Sequence, residues 1–85
     1  MEGIGRMNHN HHSIDTCVRA ALSDYFRELD GEQPSAIYDM VLKSVEKPML
    51  EIVMKEAAGN QSLASQMLGI NRNTLRKKLT EHQLL

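Results

Sequence analysis

Between Ile37 and Met54 the sequence carries apolar residues over more of a helix than one neighbour can cover. Ile37, Val41, Val45, Met49 and Val53 recur at a spacing of four, and Tyr38, Leu42, Ile52 and Met54 widen the line. In a chain of 85 residues such a helix has to be packed on several sides. A chain this short buries roughly 60 to 65% of its unfolded surface, so its own core is marginal. Scaffolds near this size are held by disulfides, a structural metal or a partner chain. The single cysteine, Cys17, excludes an intramolecular disulfide and a cysteine-rich zinc site. A second copy of the chain is the remaining staple, so a homodimer is expected.

Pro48 falls inside this apolar line. Proline removes a backbone donor and crowds the preceding turn, at a cost of ~3 kcal/mol in a helix interior. The pattern nevertheless continues in phase on both sides, which predicts one kinked helix over residues 37–57. Pro34-Ser35 opens it, with Ser35 as N-cap, and Gly59 closes it.

The other elements also read as helices, and no strand pattern or internal repeat is present. Ser13 or Asp15 caps a first helix with Ile14, Val18, Ala21, Leu22, Tyr25 and Leu29 on one stripe, widened by Cys17 and Phe26. Cys17 reads as a packing residue. Asp30-Gly31 ends the helix. Asn60 caps a short third helix carrying Leu63, Ala64, Met67 and Leu68, and Gly69 breaks it. Asn71 caps a fourth helix bearing Leu75 and Leu79, with Ile70 placed to staple onto Leu75. Residues 1–13 read as a disordered tail. No carboxylate or cysteine stands beside His9, His11 and His12 to complete a metal site, so neither a metal nor a cofactor is expected.

An apolar content of 41% argues against a disordered chain. The longest apolar runs are far short of a membrane span, and no signal peptide opens the chain. A cytoplasmic protein with a reduced thiol is expected. No paired catalytic carboxylates, phosphate loop or nucleophile–base motif is present, and His82 has no evident partner, so no enzyme is expected.

The net charge of −1 conceals an asymmetry. From Ala57 to Thr80 there is no acid, while Arg72, Arg76, Lys77 and Lys78 give +4; the rest of the chain is −5. A cationic C-terminal third on an acidic body can hold a polyanion locally. Residues 61–80 have the layout of a helix-turn-helix: a short helix, a tight turn at Gly69, and a second helix at a steep angle. Ser65 is small where the helices approach, and Leu68, Ile70 and Leu75 fill the space between them. The second helix exposes Arg72, Asn73, Arg76, Lys77 and Thr80. Arginine in its first turn can grip guanine O6 and N7 in the major groove, while Asn71 and Thr74 can donate to phosphates.

Gly59-Asn60-Gln61, the stretch Met67 to Leu79 and the stretch Val45 to Met54 resemble the Fis family, the factor for inversion stimulation, over about Ile14 to Leu79. Ile70-Asn71-Arg72 and Thr74-Leu75-Arg76-Lys77-Lys78-Leu79 carry the resemblance most closely, and Pro48 has a family counterpart. The resemblance implies an all-α chain of four helices. The first two form an intertwined dimer core over residues 14–57, and the last two a helix-turn-helix over 58–85. It implies a homodimer that binds and bends double-stranded DNA in the nucleoid and regulates transcription, with RNA polymerase or a recombinase as further candidate partners and no membrane. The family's two recognition helices lie closer together than one duplex turn of about 34 Å, so the DNA must bend. The expected DNA-binding set is Asn60, Gln61, Asn71, Arg72, Asn73, Thr74, Arg76, Lys77 and Lys78. Asn60 and Gln61 would contact backbone, and Arg72 would read bases.

Several positions depart from the family pattern. Asn73 stands at a glycine position, Ala58 and Leu63 replace basic residues, and Thr80 and Glu81 replace two lysines, which argues against wrapping of flanking DNA. The N-terminal segment lacks the β-rich sequence of the family's invertase-stimulating arms. Two other readings compete: the DNA-binding domain of an NtrC-type activator, and a helical interaction module that binds no DNA.

Overall fold

The structure, a computed structural model, describes the backbone from Glu2 to Leu85 and the side chains from Ser13 onward. It contains four helices: α1 Glu2–Leu29, α2 Ile37–Glu56, α3 Gln61–Leu68 and α4 Arg72–Glu81. No strand occurs among the described residues, so the all-α expectation holds. The chain divides after Ser35 into two compact units, the second being Ala36–Leu85. The division falls ahead of α2 because Leu50 and Ala57 of α2 share one buried cluster with Ala64, Leu75 and Leu79 of the last two helices.

In the first unit, α1 begins well before the expected caps at Ser13 and Asp15, and the residues read as a disordered tail continue it back to Glu2. Asp15 pairs with Arg19 one turn on instead of capping, and no proline interrupts the segment ahead of it. The side chains of His9, His11 and His12 lie outside the described residues. Val18, Leu22, Tyr25 and Leu29 are half-buried along the expected stripe, whereas Ile14 and Phe26 are exposed. Cys17 is exposed as well, one residue off the half-buried line.

The second unit begins differently from the sequence reading. The N-cap of α2 is Ala36, in the left-handed region with φ 56°, and no side chain caps the helix. Ser35 is thus one residue too early to serve. Beyond it α2 runs unbroken through Pro48, as the in-phase apolar pattern predicts. Its inward line is Leu50, Val53, Met54 and Ala57, with Leu50 only 1% exposed. Leu50 and Ala57 were absent from the apolar line read in the sequence. The outward line is Tyr38, Leu42, Val45, Met49 and Ile52, all exposed in the single chain. The two lines run about 100° apart around the helix, one residue out of step.

Helices α2, α3 and α4 end alike. After α2 the Gly59 amide donates to the Met54 carbonyl at 2.9 Å and the Ala58 amide to Lys55 at 3.0 Å. After α3 the Ile70 amide reaches Ser65 at 3.1 Å, and after α4 the Leu84 amide reaches Leu79 at 2.8 Å. Each pattern closes the orphan carbonyls around residues of positive φ. At α3 that residue is Gly69, with φ 76°. At α2 both Ala58, with φ 54°, and the expected stop Gly59, with φ 81°, take it.

An alanine held left-handed costs roughly 1–2 kcal/mol, partly offset by the smaller entropy it loses on folding compared with glycine. Ala58→Gly should therefore raise stability by roughly 0.5–1 kcal/mol in urea unfolding. A loss of stability would mean that residue 58 does not adopt this turn.

Candidate nucleic-acid interface

The last two helices are joined by the three residues Gly69, Ile70 and Asn71. The buried face of α3 is Ala64, Ser65 and the half-buried Leu68. Ala64 is fully buried, and the Ser65 hydroxyl donates to the Ser62 carbonyl at 2.8 Å, so its polar atom is satisfied inside its own helix. Small residues here let α3 lie close to both neighbours. Leu63 and Met67, expected on the packed face, turn outward and are about half exposed.

Each helix of the pair opens on an asparagine. The Asn60 Oδ1 accepts from the Leu63 amide at 3.0 Å, and the Asn71 Oδ1 accepts from the Asn73 amide at 2.7 Å. Both side-chain oxygens are therefore committed to capping, and what remains for a ligand is each side chain's amide group. Neither helix has an acid in its first turn, so the partial positive charge of each N-terminus is uncompensated. Gln61, the first residue of α3, is half-buried.

Along α4, Leu75 and Leu79 face inward and are essentially fully buried. Arg72, Asn73, Thr74, Arg76 and Lys77 are exposed. Asn73, Arg76, Lys77 and Thr80 line an open groove that Glu81 closes at its C-terminal end. Arg72, Arg76 and Lys77 have no ion pair among the described residues. The Thr80 hydroxyl donates back to the Arg76 carbonyl at 3.0 Å. Among the described residues the basic side chains of α4 outside Lys78 are thus uncommitted: Asn73, Lys77 and Thr80 lie opposite the buried Leu75 and Leu79, and Arg72 and Arg76 flank them on one side.

Lys78 does not join that face. Its Nζ donates to Glu46 Oε2 of α2 at 2.6 Å, and His82 Nε2 lies 3.0 Å from Glu46 Oε1. A carboxylate only accepts, so this ring nitrogen carries the proton. Lys78 precedes the inward-facing Leu79, and the basic run from Arg76 to Lys78 therefore splits between two sides of the helix. The partner of His82 lies 36 residues away, which a local sequence pattern does not reveal. The one available signal was the spacing of Glu46 with Leu50, Val53 and Ala57 along the inward line of α2. Among the described residues no group of acids, histidines or cysteine could hold a metal ion, and no helix is long and apolar enough to cross a membrane.

A family model described as bacterial regulatory protein, Fis family, matches residues 41–82. A Ralstonia nicotianae protein named Fis-like DNA-binding protein is 61% identical over 72 residues, covering 85% of this chain and 94% of its own length. The chain belongs to the Fis family. A Neisseria meningitidis serogroup A protein of the same name is 56% identical over 79 residues, 93% of this chain and 100% of its own. The DNA-binding protein Fis of Mannheimia haemolytica is 52% identical over 65 residues, 76% of this chain and 66% of its own. The segment matched by the family model contains the helix-turn-helix and also both ends of the Glu46 clamp.

The clamp contributes a pH-dependent part of the stability of this Fis-family chain. Hydrogen bonding from Lys78, then from His82, holds the Glu46 carboxyl below its ordinary value of 4.5, and the Glu46 hydrogen bond raises the Lys78 ammonium above 10.5. A lowered carboxyl contributes stability that is present above 4.5 and is lost as pH falls through the folded value. A raised lysine contributes stability that is present below 10.5 and is lost as pH rises through its folded value. Glu46→Gln should cost about 1 kcal/mol at neutral pH. Its deficit against wild type should shrink as pH falls below 4.5 and through the folded value of Glu46 in urea unfolding, because protonation removes the same charge from the wild type. A deficit independent of pH would show that the charge is not what holds the clamp.

Proposed function

We propose that the chain is a homodimeric, DNA-bending Fis-like protein of the cytoplasmic nucleoid that regulates transcription and reads the major groove with α4. The observation that carries this reading is the cationic face of Arg72, Arg76 and Lys77, exposed and without an ion pair among the described residues, beside two uncompensated helix N-termini. Arg72, in the first turn, reaches base edges, where a bidentate contact to guanine confers specificity. Arg76 follows one turn later on the same face, and Lys77 supplies a point charge suited to phosphate. The free amides of Asn60 and Asn71, with Gln61, Asn73 and Thr74, flank that face as backbone-positioning donors. Lys78 is left out of the contact set because Glu46 holds it on the inner side of α4.

The dimer reading is supported by the outward line of α2. Tyr38, Leu42, Val45, Met49 and Ile52 alternate at four and three residues, the spacing of a seam between helices, and all are exposed in the single chain. With α1 this line would supply the dimerisation region of residues 14–57. Two recognition helices per particle would then enter successive major grooves of a bent duplex. RNA polymerase or a recombinase is a further candidate partner. Relatives named Fis-like, matched over nearly their whole length, favour this reading over an NtrC-type activator domain or a module that binds no DNA.

If the folded unit is a dimer, dissociation and unfolding are linked, and the melting temperature should rise with protein concentration. Sedimentation of a folded monomer at micromolar concentration would contradict it. On DNA, Arg72→Ala should cost ~1–3 kcal/mol per half-site and flatten the preference for specific over scrambled duplex. Lys77→Ala should weaken all sequences alike and reduce the salt slope by about 0.9 per protomer. Fluorescence anisotropy across a range of salt concentrations reads both effects. If neither substitution alters binding, α4 is not the DNA-reading helix.

A further inference from the structure

Helix α4 is held to α2 in two ways that differ in kind. Leu75 and Leu79 enter the buried cluster with Leu50 and Ala57, and α3 lies against both helices. The hydrophobic driving force is non-directional, and side-chain packing favours a crossing angle only to within roughly 15–20°. The Glu46 carboxylate is directional. One oxygen takes Lys78 at 2.6 Å and the other takes His82 at 3.0 Å, and these two residues stand one turn apart on α4. The pair is partly shielded, with the His82 side chain 9% and the Glu46 side chain 18% exposed. Two charge-assisted contacts to a single carboxylate, spaced along the helix, restrain both roll and tilt.

Glu46 also occupies a special place on α2. It directly follows Val45 of the outward apolar line and precedes Leu50 of the inward line by one turn. The same turn of α2 thus carries the candidate dimer seam and the anchor of the recognition helix.

We infer that Glu46 is a positioning residue for DNA recognition. Without facing DNA, it sets the angle of α4 against α2 and so the separation of the two recognition helices across a dimer. The inference rests on the dimeric DNA-binding reading above and adds to it the element that sets half-site spacing. It also gives Lys78 a role other than phosphate contact.

The test compares wild type, Glu46→Ala, Lys78→Ala and the double variant. The probe is a duplex that the wild-type protein selects from a random pool, together with derivatives in which one or two central base pairs are removed or inserted. Wild type should bind the altered spacings more weakly than the selected one. Glu46→Ala, which removes both contacts, should shrink that ratio about threefold to tenfold, Lys78→Ala should shrink it by less because His82 still holds Glu46, and the double variant should go no further than Glu46→Ala. The salt slope of Lys78→Ala should match wild type, whereas a fall of about 0.9 per protomer would return Lys78 to the phosphate contacts and overturn the inference. An unchanged spacing ratio alongside a lowered melting temperature overturns it too, since Glu46 then only stabilises the fold. If Glu46→Ala does not fold, Lys78→Ala reads the same ratio. Wild type that binds duplex without any spacing preference sinks this inference alone, whereas wild type that binds no duplex sinks the DNA-binding reading with it.

Discussion

The buried cluster that Leu50 and Ala57 of α2 share with Ala64, Leu75 and Leu79 of the last two helices is what the second unit depends on. Five side chains, Leu50, Ala57, Ala64, Leu75 and Leu79, form its whole buried core. Burying a leucine contributes roughly 1.5–3 kcal/mol, so three leucines give a modest total against the entropy of ordering three helices. Val53, Met54, Leu68, Ile70 and Leu84 close around them while remaining partly exposed. A core this small holds three helices together only if their ends are well satisfied and the polar links between them are good. The asparagine caps, the left-handed C-terminal turns and the Glu46 clamp supply those conditions.

The same economy explains the division of labour on α2. One line of the helix is used up by the helix-turn-helix. The neighbouring line, from Tyr38 to Ile52, is left exposed in the single chain, although it is as apolar as the buried one. A helix with two apolar lines in so short a chain connects two packing partners, one inside the chain and one for which a second copy is the proposed occupant. Charge is distributed to match. Acids concentrate outside the last two helices, and Glu46 of α2 takes Lys78 out of the cationic face, while no ion pair of Arg72, Arg76 or Lys77 occurs among the described residues.

Local signals were read well where the physics is local. Asn60 and Asn71 cap the helices that follow them, Gly69 makes the turn, and the in-phase pattern carries α2 across Pro48. Each rests on a propensity confined to a few neighbouring residues. Readings failed where two neighbours competed or where the partner was distant. Gly59 closes α2 as expected, its amide bonded to Met54, but Ala58 before it is left-handed as well, which no local propensity predicts. Ser35 was a plausible cap, but α2 starts behind Ala36. Leu63 and Met67 look like core on a helical wheel, yet the inward face of α3 is set by its small residues.

Sequence alone determined the all-α class, the helix-turn-helix and its cationic last helix, the membership of the Fis family and the presence of an apolar line too wide for one chain. The class, the helix pair, its charge and the apolar line follow from periodicity, capping chemistry and charge order, which are properties of neighbouring residues, whereas the family is carried by the resemblance of whole motifs and by the relatives it matches. Only the tertiary structure decided which of the basic residues are free. Arg76, Lys77 and Lys78 are consecutive and chemically alike, but a helix turns about 100° per residue. Arg76 and Lys77 thus remain on the open face, while Lys78 is carried inward to a carboxylate 32 residues away. That carboxylate and its second partner, His82, meet through the packing of α4 against α2, a contact that no window along the chain contains.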